Sequence, residues 1–157
     1  MARPDRDTRM QMKSAARLYV VQALFQMEAT DAALDSVREE FETHRFGAHI
    51  DGKKWAEGNV DLFRRLLETA VTRQAEIDQM TDRALAENWP LERLDPTLRA
   101  LFRAAGAELL AGGGAARSVI SEFVDIARAF FPEGKEAGFV NAVLDHMARE
   151  ARPEAFG

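Results

Sequence analysis

Apolar residues recur at three- and four-residue spacing through most of the chain, and no long segment alternates with period two. That pattern predicts helices throughout. A first helix over 8–27 carries only Arg17, Gln22 and Gln26 as strongly polar residues after Ala16, with Tyr19 adding a lone hydroxyl. A helix apolar nearly all round is one that others pack against, so it is expected at the centre. A second, over 34–46, has Leu34, Val37, Phe41 and Phe46 as its stripe. Residues 47–58 hold three glycines and a Lys-Lys pair and read as a loop. Asn59 or Asp61 caps a third helix with Val60, Phe63, Leu66, Leu67, Ala70 and Val71 inward. A fourth, over 76–88, buries Ile77, Met80, Ala84 and Leu85 and is stopped by Trp89-Pro90.

After a short turn at 91–94, Asp95 and Pro96 have the order of an N-cap and a first helical residue. The fifth helix they open buries Leu98, Leu101, Phe102, Ala105 and Leu109, and the glycines 112–114 close it. The sixth, over 118–131, buries Val119, Ile120, Phe123, Val124, Ala127 and Phe130, and Pro132 and Gly134 stop it. The seventh, over 135–150, buries Phe139, Val140, Val143, Leu144 and Met147. The tail at 151–157 is expected to fray. Alanine and leucine far outnumber valine and isoleucine, which favours helix over strand. The fold class expected is all-α.

At 157 residues the chain is one domain's worth and long enough to bury a core without staples. There is no cysteine, which removes disulfides, thiolate metal sites and cysteine nucleophiles together. Only His44, His49 and His146 remain, without the H-E-x-x-H spacing of a catalytic zinc site. No apolar run approaches the length of a membrane span, and the first residues are charged where a signal peptide would be apolar. A cytoplasmic protein is the natural expectation.

The net charge of −5 is unevenly placed. Residues 1–20 hold Arg3, Arg6, Arg9, Lys13 and Arg17 against Asp5 and Asp7, so a basic arm stands on an acidic body. Arg6, Arg9, Lys13 and Arg17 are spaced three, four and four apart and share one helical face if the helix begins that early. Unpaired cations do not stay buried, so these turns must overhang the core or be unwound.

Catalytic chemistry finds no foothold. The glycine triplet is followed by no Lys-Ser or Lys-Thr and preceded by no strand, so it is no phosphate loop. No G-x-S-x-G elbow surrounds any serine. Carboxylates such as Glu39 and Glu40 fall on helix faces beside arginines and read as solvated. Binding is favoured over catalysis, with no metal and no cofactor expected.

Three segments carry a resemblance. A-A-R-L-Y-V-V-Q-A-L-F at 15–25, L-R-A-L-F-R-A-A-G-A-E-L-L at 98–110, and V-I-S-E-F-V-D-I-A-R-A-F-F at 119–131 followed by F-V-N-A-V-L-D at 139–145 occur in order. Together they resemble the NusB family of transcription antitermination factors. The resemblance implies a helical bundle in two packed halves forming a single RNA-binding domain over 1–157; as chain termini, the basic arm at 1–8 and the tail at 151–157 are expected to be flexible. It implies a non-enzymatic adaptor that binds boxA-type RNA of ribosomal RNA operons with NusE, a small-subunit ribosomal protein, within the RNA polymerase antitermination complex. Departures from the family pattern are Ala142 for a glycine, Ala107 for a frequent aromatic, Ser121 for an asparagine, and Ser14 and Ala15 for frequent arginines, which thin the basic cluster. Two alternatives stay open: a relative of the NusB-like domain of ribosomal RNA methyltransferases, and a helical scaffold that self-associates without RNA.

The resemblance places Arg17 at the family's first-helix arginine, with Lys13, Arg9 and Arg6 on the turns before it as phosphate contacts. Phe25 falls at a family tyrosine and would stack on an unpaired base, although its apolar helix also suits it to the core. Glu122, Phe139 and Asn141 are the expected contacts for NusE; Phe139 fits the core stripe equally. Arg103 and Glu108 match as well, with an ion pair a sufficient explanation. Asp145 and Arg149, four apart, are expected to pair on the surface.

Overall fold

In a computed structural model, which describes residues 5–47, 49–50, 53–54, 57–85 and 90–156, seven α-helices build the chain. They are α1 (Arg6–Thr30), α2 (Leu34–Glu40), α3 (Val60–Thr72), α4 (Gln74–Ala84), α5 (Pro96–Ala111), α6 (Ala116–Phe130) and α7 (Glu136–Ala151). The expected all-α class holds. Within 47–58, expected as loop, a minimal antiparallel pair joins β1 (His49–Ile50) to β2 (Lys53–Lys54), with His49 opposite Lys54.

The capping chemistry is as the residue types dictate. Asp5 accepts from the Thr8 amide at 2.7 Å, Asn59 from Leu62 at 2.9 Å and Asp95 from Thr97 at 2.7 Å, with Pro96 in the first turn. Helix α1 thus starts before the expected 8. Helix α4 ends at Ala84, where Leu85 turns extended, short of the expected 88; the Trp89 stop lies outside the described residues.

The second helix departs from expectation in an instructive way. After Glu40 it widens into a π-helical stretch, Phe41–Arg45, closed by the Phe46 amide donating to the Phe41 carbonyl at 3.0 Å. A π turn brings residues five apart onto one face. Phe41 and Phe46 therefore both turn inward, Phe41 stacking on Phe63 with centroids 5.8 Å apart and Phe46 on Tyr19 at 4.8 Å. These four rings knit α1, α2 and α3 together.

The central helix is α5, not α1. It packs against α1, α3, α4, α6 and α7, and its small residues permit this close approach on every side. At Gly106 an added Cβ would lie 2.5 Å from Cγ2 of the buried Ile77, so α4 and α5 touch where only hydrogen fits. The reason α1 yields the centre is its length: its first turns are largely exposed, and Phe25 and Met10 face solvent.

The tail is docked rather than frayed. Arg152 donates to the carbonyls of Glu108 and Leu109 at 2.8 Å, of Gly112 at 3.1 Å and of Gly114, capping the C-terminal end of α5. Phe156 lies between the guanidinium groups of Arg149 and Arg117, 4.6 and 5.1 Å from its centroid.

Candidate nucleic-acid interface

Capped by Asp5, the first two turns of α1 carry Arg6, Arg9 and Lys13, with Arg6 and Lys13 exposed and Arg9 half-buried. Arg6 and Lys13 have no hydrogen bond or ion pair among the described residues. Arg9 senses Asp5, whose carboxyl is held below its ordinary range by the Thr8 hydrogen bonds first and by Arg9 only weakly. Three cations thus project from one helix end with nearly all their hydrogen-bonding capacity unspent.

Arg17 does not belong with them. Its residue is 9% exposed, and its Nε and Nη2 donate to Oε1 and Oε2 of Glu108 at 2.7 and 2.8 Å. Glu122 lies 3.7 Å away and accepts from the Ser14 hydroxyl at 3.0 Å. The four-residue spacing that aligned Arg17 with Lys13 also carries it under the edge of α5, where burial demands a partner. Arg17 is therefore a buried ion-pair member, and the expectation of a phosphate contact there is corrected.

Phe25, for which base stacking and core packing both stand open, is 42% exposed, and Phe130, expected to be buried, is 37% exposed. The two line a groove of about 470 Å³ between α1, the π stretch and the end of α6, together with Gln22, Phe41, Arg45 and Thr97. Oε1 of Gln22, buried at this groove, has no hydrogen-bond partner among the described residues. Spacing does not single out Phe130 as a groove residue, because its place in the apolar stripe of α6 reads as core. Only its position in the last turn, before Pro132, hints that the stripe outruns the bundle.

Glu122, Phe139 and Asn141 are not brought together. Glu122 faces α1 through Ser14 and Arg17. Phe139, half-buried, packs edge-on against Phe102 at 6.1 Å and lines a small cavity with Asp95, Leu98 and Glu136. Asn141 is exposed in a polar groove of about 360 Å³ between α6 and α7, with Arg117, Ser121, Arg128 and Asp145. Two residues apart on a helix, Phe139 and Asn141 point into different spaces.

The other matched residues are structural. Arg103 donates to both oxygens of Asp78, at 3.0 and 2.9 Å, and to Glu28 at 2.9 Å. Arg99 completes this network through Glu28 and the carbonyls of Leu91 and Leu94. Arg149 and Asp145 pair at 2.8 Å on the surface, as expected. Among the described residues no cluster of histidine and carboxylate is arranged to hold a metal, and no helix is long and apolar enough to cross a membrane.

The family model described as NusB family matches residues 14–149. The transcription antitermination protein NusB of Caulobacter vibrioides is 47% identical over 145 residues, covering 92% of this chain and 97% of the relative. That of Maricaulis maris is 45% identical over 151 residues, covering 96% and 94%. Among solved structures, T. maritima NusB superposes with a TM-score of 0.72 at 30% identity, covering 99% of both chains. A crystal structure of the antitermination factors NusB and NusE in complex with dsRNA shares the fold, with a TM-score of 0.68 at 23% identity over 90% of this chain and 98% of that one. With nearly full-length relatives above 40% identity and the same helical architecture, the chain belongs to the NusB family.

Proposed function

We propose that this chain is a cytoplasmic, non-enzymatic transcription antitermination factor. It binds boxA-type RNA of ribosomal RNA operons jointly with the ribosomal protein NusE and delivers both to the RNA polymerase antitermination complex. The observation that carries the reading is the basic end of α1, where Arg6 and Lys13 have no partner among the described residues, on a chain of net charge −5. Cations concentrated on one helix end supply the phosphate contacts of RNA binding without making the whole surface a polyanion trap. Relatives of the same length named as antitermination proteins support it.

The protein partner is assigned to the groove of Phe25 and Phe130. On an ideal helix Phe25 lies about 18 Å beyond Lys13 and well round from its face, so the two surfaces serve different ligands. Two half-exposed aromatic rings over an apolar floor form the kind of anchor pocket that dominates protein interfaces. An acidic body also attracts a basic ribosomal protein.

The test is a titration of boxA RNA and a scrambled control, with and without NusE, across a salt series. Preference for boxA, strengthened by NusE, with a salt slope of about −2 for three phosphate contacts, is the expected result. Equal binding of both RNAs with and without NusE would remove the reading, and salt-insensitive self-association alone would favour a scaffold.

A further inference from the structure

The polar groove between α6 and α7 is not used by the surfaces assigned above. Arg117 and Arg128 are eleven residues apart on α6, which is close to three full turns, so they lie on one face about 16 Å from each other. Ser121 stands between them on the same face, with Asn141 and Asp145, one turn apart on α7, across the groove. The Asn141 amide and the Ser121 hydroxyl have no hydrogen-bond partner among the described residues, and both residues are exposed. Among the described residues Arg128 is engaged only by Asp125, at 3.0 Å, with both side chains about two-thirds exposed. Arg117 lies over the Phe156 ring, a geometry that leaves the guanidinium edges available. Asp145 is neutralised by Arg149 at 2.8 Å.

We infer that this groove is a second RNA contact, taking nucleotides that flank the element held by the basic end of α1; the inference rests on the RNA-binding reading above. Cations at both ends of the groove fit a chain of phosphates. Between them, an amide that both donates and accepts, a hydroxyl and a carboxylate suit base edges and 2′-hydroxyls. A basic protein would meet two arginines here and gains nothing from them. The groove lies on the far side of α6 from the first site: Glu122, next to Ser121 on α6, accepts from Ser14 of α1, so a strand passing Lys13 reaches the groove by crossing α6.

The experiment compares a core boxA RNA with one extended on both sides, bound by the full chain in the presence of NusE. The variant Arg128→Glu/Asn141→Ala is set beside Arg9→Glu/Lys13→Glu. The groove variant is expected to bind the extended RNA about tenfold more weakly, with a salt slope shallower by about 0.7, and the core RNA within about twofold of the parent. The arm variant is expected to lose both RNAs. Unchanged binding of the extended RNA by the groove variant overturns the inference and leaves the proposed function standing. A loss confined to NusE titrations without RNA overturns it in favour of a protein contact. If the parent chain binds neither RNA, the functional reading falls and the groove assignment with it. Both substituted residues are exposed, so an unchanged thermal midpoint certifies the fold.

Discussion

Arg17 of α1 and Glu108 of α5 meet as two parallel hydrogen bonds, 2.7 and 2.8 Å long, with Glu108 only 1% exposed. Burial works against the charge on Arg17, but the Glu108 hydrogen bonds and charge, with that of Glu122, outweigh it and hold the guanidinium above its ordinary range. The pair fixes α1 on the central helix, just below the turns that carry the free cations. Removing Glu108 leaves the buried Arg17 with only the more distant Glu122, 3.7 Å away. Glu108→Ala is expected to cost about 3–5 kcal/mol in denaturant unfolding, while the double variant Arg17→Met/Glu108→Leu recovers most of that loss. A double variant no more stable than Glu108→Ala would mean that packing, not the stranded charge, sets the cost.

The arm above this pair is expected to behave oppositely. Arg6→Glu/Arg9→Glu/Lys13→Glu removes two exposed cations and one half-buried one and places acids at a helix N-terminus, which the helix dipole favours. Unfolding free energy should move by no more than about 0.5 kcal/mol while RNA affinity collapses. Thermal melting and RNA titration on the same preparation separate the two effects. A large loss of stability would show that the first turns of α1 are structural.

Much of this arrangement is legible in the residues themselves. The caps Asn59 and Asp95, the stripes of α3, α5 and α7, and the Asp145–Arg149 pair all follow from local spacing. What spacing does not reveal is how far each helix extends past its neighbours. Arg17 and Lys13 are one turn apart with the same chemistry, yet only Arg17 is covered by α5, because the bundle's edge falls between them. Phe130 and Phe123 share a stripe, yet the bundle ends before Phe130. The π stretch is equally hidden, since it depends on Tyr19 and Phe63 drawing Phe41 and Phe46 to one side. The docking of the tail is hidden too, because Arg152 acts through the carbonyls of a helix some forty residues earlier, a partnership that composition cannot show.

That partnership yields its own expectation. The last carbonyls of α5 face a glycine-rich turn that offers no donors of its own side chains, and Arg152 supplies them. Arg152→Ala is expected to destabilise the chain by about 1–3 kcal/mol, and Arg152→Lys to restore only part of it, since one ammonium cannot reach four carbonyls in a fork. Chemical denaturation of both variants checks this. A neutral Arg152→Ala would mean that water caps α5 as well as the guanidinium does.

The close approach of α4 to α5 is open to a similar test. With Cγ2 of Ile77 2.5 Å from the place of an added Cβ, Gly106→Ala should cost about 1–3 kcal/mol despite the better helix propensity of alanine. In an Ile77→Ala background the same step should cost nothing or stabilise, because the obstructing methyl is gone. An identical penalty in both backgrounds would locate the strain elsewhere in α5.

The acid limb of stability should be set in part by Glu28. The Arg99 hydrogen bond holds its carboxyl below the ordinary range; burial opposes this, and the charges of Arg99 and Arg103 add to the lowering. A carboxyl with a lowered folded-state pKa binds fewer protons in the native than in the unfolded chain, so its contribution is complete above the unfolded value of about 4.3 and is lost as the pH falls through the folded one. Arg99 and Arg103, each 13% exposed in the side chain, are then left without their shared partner at the seam where α1 meets α5. Glu28→Gln should therefore be less stable than the parent near neutrality. Its unfolding midpoint should also decline less steeply below about pH 4.3, so that the two curves converge in acid. Parallel curves over that range would mean that Glu28 titrates alike in both states and that Asp78 alone holds Arg103 in place.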